Sequence, residues 1–239
     1  MRAVTARERP DLQGRVDSSE IWPEYNLHGD VLNRYWGRLD EEFPDFQAAV
    51  VDDEDEVVGE LHSVPIAWDG RAAGLPVGID GAIEDAFERP GRDALCALAA
   101  EVLPARRGAG LAERFLAELA GLARRNGIGV LLAPLRPSLK ERYPLASIER
   151  YAAWARDDGL PFDPWLRTHV RAGGEVLLAE PRSLRISGTV SEWEEWVGME
   201  FPESGEYVFP GGLAPLSIDR DVDRGAYWEP NVWVLHRVS

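Results

Sequence analysis

The residue types with the clearest chemistry lie in one short stretch, Val102-Leu103-Pro104-Ala105-Arg106-Arg107-Gly108-Ala109-Gly110-Leu111-Ala112. Glycines at 108 and 110 remove side chains where the main chain must turn tightly. They also leave a series of free amides at the start of a helix, pointing into one cavity. Such a cavity suits a pyrophosphate, and the helix dipole adds about 0.3 to 1 kcal/mol per interaction. Residues 104–126 hold five arginines against two glutamates in a chain of net charge −16, so the stretch is a basic island that draws an anionic cofactor to one place. It lacks the Lys-Ser/Thr end of a triphosphate loop and the three-glycine dinucleotide pattern.

The elements that would position this loop can be read from hydrophobic periodicity. Residues 94–103 form a near-continuous apolar run that is ambiguous taken alone: its Ala and Leu content favours helix, whereas its apolar continuity and the turn residues that follow favour a strand buried on both faces, the expectation if tertiary context overrides propensity. Leu111, Phe115, Leu119 and Leu122 then share one helical face, and Asn126-Gly127 supplies the stop. Residues 128–133 read as a second buried strand. Strand, glycine turn, helix and strand make a βαβ unit, so the sheet should contain a parallel pair.

Upstream, residues 2–6 read as a short strand and residues 30–43 as a helix with Asp30 as N-cap. An antiparallel hairpin is predicted over 46–51 and 57–67 around the solvated acidic turn 52–56. Residues 69–81 read as a glycine-rich connection. Downstream come an interruption over 134–162 with a helix near 148–156, a short helix over 163–172, a strand over 175–179 and a capping box at Ser191-Glu192-Trp193-Glu194. The last strand is predicted at 232–236. The whole reads as one domain, 1–239, with an elaborated C-terminal third extending over 180–239.

Arg107, Gly110 and Ala112, preceded by Val102 and Pro104, resemble the pyrophosphate loop of the GNAT superfamily of acyl-CoA-dependent N-acyltransferases, written Arg/Gln-x-x-Gly-x-Gly/Ala. The resemblance implies an α/β (α+β) fold: a mixed, mostly antiparallel sheet with a splayed parallel strand pair and helices on both faces. It implies acetyl-CoA or another acyl-CoA as co-substrate, its pantetheine beside Val102 and its pyrophosphate on the amides of Arg107, Gly108, Ala109, Gly110, Leu111 and Ala112. It also implies direct attack of an amine on the thioester. Many family members place a proton-donating tyrosine before a Gly-Phe pair. His169, ahead of Gly173-Gly174, stands in that tyrosine's place as candidate general acid, with Tyr143 and Tyr151 as competing donors. Glu101, beside the splay, is the candidate base, directly or through water; the alternative is a carboxylate facing solvent or paired with an arginine.

Composition narrows the remaining classes. With 42 acidic against 26 basic residues a nucleic-acid backbone is repelled, and no apolar run approaches the length of a membrane span. The expectation is therefore a cytoplasmic protein. A lone Cys96 excludes an internal disulfide, and His28, His62 and His236 lack metal-ligand spacing. Two functions stand: an N-acyltransferase acting on a small-molecule amine, since no peptide groove is legible, or a catalytically silent acyl-CoA-binding regulatory or scaffold module.

Overall fold

The ambiguous run 94–103 is resolved by what covers it. In the computed structural model, which describes residues 1–106 and 110–238, it is strand β4 (Ala94–Val102). Leu95 packs on one side of the sheet with Phe115, Leu119 and Leu122 of a helix, α4 (Leu111–Arg125); Ala94, Cys96 and Leu98 pack on the other with Ile83 and Ala86 of a second helix, α3 (Gly78–Glu88). Alternate residues of a strand point to opposite faces, so a strand covered by helices on both sides has no polar face to show. Tertiary burial thereby outweighs helix propensity.

Before α3 come β1 (Arg2–Thr5), the short helices α1 (Leu32–Tyr35) and α2 (Leu39–Glu42), and the hairpin β2 (Gln47–Val51) and β3 (Val57–Ile66). After α4 come β5 (Val130–Leu135), α5 (Ile148–Ala152), α6 (Pro164–Arg171), β6 (Glu175–Gly188), α7 (Val190–Val197), β7 (Gly205–Tyr207), β8 (Leu216–Asp219) and β9 (Arg224–Arg237). They form one nine-stranded sheet ordered β1-β2-β3-β4-β5-β9-β8-β7, with β6 paired to β9. Every pairing is antiparallel except β4 with β5.

Two irregularities make the site. The β3–β4 register slips between His62, opposite Ala99, and Ser63, opposite Ala97, so β4 carries a bulge at Leu98. The parallel ladder to β5 consists of Leu95 with Leu131 and Cys96 with Leu132. Beyond Cys96 the edge of β4 that faces β5 is left bare, and the two strands part.

Several elements differ from the sequence reading. The connection predicted over 69–81 gives way to α3, whose Gly78 and Gly81 conceal the helix; Gly78 has φ +63° and sits against Ser183, where a side chain would collide with backbone. The helix expected over 30–43 is broken into α1, a 3-10 turn and α2, and the Asp30 carboxylate accepts from Ser187 of β6 rather than capping a helix. The capping box lies two residues earlier, at Thr189 and Glu192. The strands predicted at 175–179 and 232–236 are the ends of 14-residue strands. Among the described residues, no helix is long and apolar enough to cross a membrane.

Candidate functional site

Where β4 and β5 part, a cavity of about 830 Å³ opens between the bare edge of β4, the end of β5, α6 and the chain before α1. A smaller recess of about 310 Å³, lined by Val102, Leu111, Ala112 and Phe115, lies at the N-terminus of α4. Ile21, Ala100 and Trp165 line both spaces. Gly110 has φ +86°, and a Cβ there would meet nothing within 4 Å among the described residues, so the glycine answers to the left-handed turn. Arg107, Gly108 and Ala109 lie outside the described residues. Val102, Gly110, Leu111 and Ala112 are brought together, between the strand end and the first turn of α4, as a loop leading an anion onto a helix terminus requires. Arg106 turns away to pair with Asp52 at 3.1 Å.

Glu101 sits near the end of β4, 1 % exposed, and lines the large cavity. It accepts from Ser18 Oγ at 3.0 and 3.1 Å and from the indole of Trp22 at 2.5 Å. Of the alternatives left open by the sequence, Glu101 does not face solvent, and among the described residues it pairs with no arginine. Directly across the ladder is Glu60, also buried, whose Oε1 accepts from the Arg15 and Val16 amides and whose Oε2 lies 3.7 Å from His62 Nε2. One ligand-type atom from each of Glu60, His62 and Glu101 falls within 4.8 Å of the others. The two carboxylates are thus held on one face of the sheet by neutral donors, with no arginine or lysine among the described residues to neutralise them. A cationic group entering the cavity meets attraction at this wall.

His169 projects from α6, whose N-terminus Asp163 caps by accepting from the Trp165 and Leu166 amides. The ring is 2 % exposed, lines the cavity, packs edge-on against Trp165 and meets His236 through Nδ1···Nε2 at 2.9 Å; its own Nε2 is buried without a partner among the described residues. Burial, and then the neighbouring His236, push its pKa down to about 3. At neutral pH the ring is therefore uncharged, and any hydrogen it offers is that of a neutral imidazole. The competing tyrosines do not line the cavity: Tyr143 packs on Trp154, and the Tyr151 hydroxyl donates to Asp163 at 2.7 Å.

A second polar group in the wall was not legible in the sequence. Arg136, directly after β5, binds Glu229 through Nε and donates through Nη2 to the Tyr25 hydroxyl at 3.0 Å and the Gly211 carbonyl at 2.7 Å. Glu229 also accepts from the Tyr227 hydroxyl at 2.6 Å and Asn26 at 3.0 Å. Partners 75 to 111 residues from Arg136 leave no local pattern. The available signal was an arginine at the carboxyl end of a parallel strand, where ligands bind in open sheets.

No family model matches the chain. Its sequence is 30% identical to the arginine N-acetyltransferase avaD of Aspergillus versicolor, over 98% of this chain and 93% of that protein. Two solved structures share the fold with 18% identity and a TM-score of 0.59. One is the loading GNATL domain of CurA from Lyngbya majuscula, with 99% of this chain and 96% of that one covered. The other is the GphF GNAT-like decarboxylase in complex with isobutyryl-CoA, with 100% and 98% covered.

Proposed function

Because the chain belongs to the GNAT superfamily and is an N-acetyltransferase with an acyl-CoA as co-substrate, we propose that its acceptor is a small cationic amine or guanidine, arginine or a near relative. The observation that carries this is Glu101, a buried carboxylate in the wall of the cavity at the strand splay, backed by Glu60 and matched to no basic side chain among the described residues. The acceptor of the 30%-identical relative has the complementary charge. A net charge of −16 favours the approach of a cation over that of an acidic or polyanionic acceptor.

Pantetheine would lie along the bare edge of β4, with Val102 at the turn and the pyrophosphate at the N-terminus of α4, on the amides of Gly110, Leu111 and Ala112. The cationic acceptor nitrogen gives one proton to Glu101 and attacks the thioester carbonyl; the C–N bond forms, the C–S bond breaks, and the second proton shed by nitrogen goes to the departing thiolate, so that amide, free thiol and one proton on Glu101 result. An orphaned buried nitrogen costs about 1 to 3 kcal/mol, so His169 Nε2 awaits a partner. With His236 donating to His169 Nδ1, Nε2 carries the hydrogen and donates it to the thioester or thiolate as a neutral hydrogen-bond donor. Thiol release from acetyl-CoA, measured against a panel of cationic, neutral and acidic amines, tests the reading. Cationic amines should dominate; turnover confined to neutral or acidic amines would refute it.

A further inference from the structure

The cavity wall opposite Glu101 ends in a cation. In the parallel ladder Cys96 pairs with Leu132; five residues further along each strand direction lie Glu101 and residue 137, so Arg136 and Glu101 occupy the two lips of the splay at about the same height. Both line the cavity. One edge of the Arg136 guanidinium is fixed by Glu229, Tyr25 and the Gly211 carbonyl, but Nη1 has no hydrogen-bond partner among the described residues, and the side chain is 20% exposed. At this lip the half-buried Arg136 pairs with the buried Glu229, the buried Lys140 lies outside the cavity lining, and Glu141 faces solvent at the rim. The opposite lip holds the carboxylate of Glu101, backed by that of Glu60 on β3. The cavity is therefore polarised from one wall to the other, and a pre-fixed guanidinium with one free nitrogen is suited to an anionic oxygen.

We propose that Arg136 anchors a carboxylate of the acceptor, so that the substrate is a free amino acid with a cationic side chain, its carboxylate on Arg136 and a cationic nitrogen toward Glu101. This rests on the reading of the acceptor as arginine or a near relative. It goes beyond that reading by requiring the carboxylate, which excludes decarboxylated, esterified or peptide-internal forms as good substrates. Tyr25 and Glu229 are positioning residues in this scheme: they hold the guanidinium plane so that Nη1 keeps its direction.

The test compares kcat/KM for L-arginine, arginine methyl ester and agmatine, which lacks the carboxylate, with acetyl-CoA at saturation. A hydrogen bond to a charged group corresponds to a preference of about 10- to 100-fold for arginine over agmatine, carried mainly by KM. In Arg136→Gln that ratio should collapse toward one, and Arg136→Lys, which keeps the charge and loses the fork, should lie between. The wild-type comparison needs no variant and stands if Arg136→Gln folds poorly. Equal use of agmatine and arginine by the wild type overturns the carboxylate anchor and leaves the cationic-acceptor reading intact, as does an unchanged ratio in a folded Arg136→Gln. Absence of thiol release with all three overturns the acceptor reading itself, and the anchor with it.

Discussion

Glu101→Gln removes the charge while keeping the shape of the side chain. In the protein, Glu101 accepts from Ser18 and Trp22; a glutamine can keep its carbonyl toward Trp22 and turn its amide to the Ser18 oxygen, so the hydrogen bonds survive the change. Replacing one of two buried carboxylates that face each other across β3 and β4 also relieves repulsion, so thermal stability should hold or rise. What is lost is the proton acceptor. General base catalysis is worth about 10² to 10⁴ in rate, or roughly 3 to 5 kcal/mol of transition-state stabilisation. The assay is continuous thiol release with arginine and acetyl-CoA, alongside calorimetric titration of acetyl-CoA. Turnover should fall by that factor, with coenzyme affinity changed less than threefold. A folded Glu101→Gln enzyme with wild-type kcat would show that nitrogen loses its proton elsewhere and would refute the reasoning.

Other outcomes follow from individual environments. Burial, and after it the neighbouring carboxylate of Asp30, raise the Asp80 pKa to about 6 from 3.8, so the native state binds that proton more tightly than the unfolded chain does. The stabilisation is complete below 3.8 and is lost as pH rises through about 6, amounting to about 3 kcal/mol. Asp80→Asn should therefore gain in chemical-denaturation stability relative to wild type between pH 4 and 7.5, and a pH-independent difference would contradict this. Gly110→Val places a β-branched residue at φ +86°, at a cost of about 1 to 2 kcal/mol, and blocks the loop; acetyl-CoA affinity should fall at least tenfold in a protein with native circular dichroism. Cys96 is fully buried and its thiol is pushed well above the ordinary range, so a thiol reagent should label nothing in the native protein and one site in denaturant.

The strand–loop–helix–strand core was legible because its signals are local. The α4 stripe of Leu111, Phe115, Leu119 and Leu122, its Asn126-Gly127 stop and the glycine turn each depend on neighbours within a few residues. What stayed hidden depends on distant partners. Glu101 is held by Ser18 and Trp22, 83 and 79 residues away, and His169 owes its neutrality to burial and to His236, 67 residues on. A pattern of residue types could suggest both positions, but a charge state belongs to an environment that only the fold assembles. The same holds for Arg136, whose clamp is supplied by Tyr25, Gly211 and Glu229. Asp30 shows the converse: a sound local cap signal was overruled by a stronger partner, Ser187 on β6.

The most direct measurement is a single-turnover experiment in which excess protein is mixed with acetyl-CoA labelled in the acetyl group and with L-arginine, and the products are resolved by mass spectrometry as free thiol appears. Acyl transfer to a cationic acceptor predicts label in an acetylated arginine, formed at the same rate as the thiol and in equal amount. Thiol release that leaves the label as free acetate, or label retained on coenzyme A, would contradict the account.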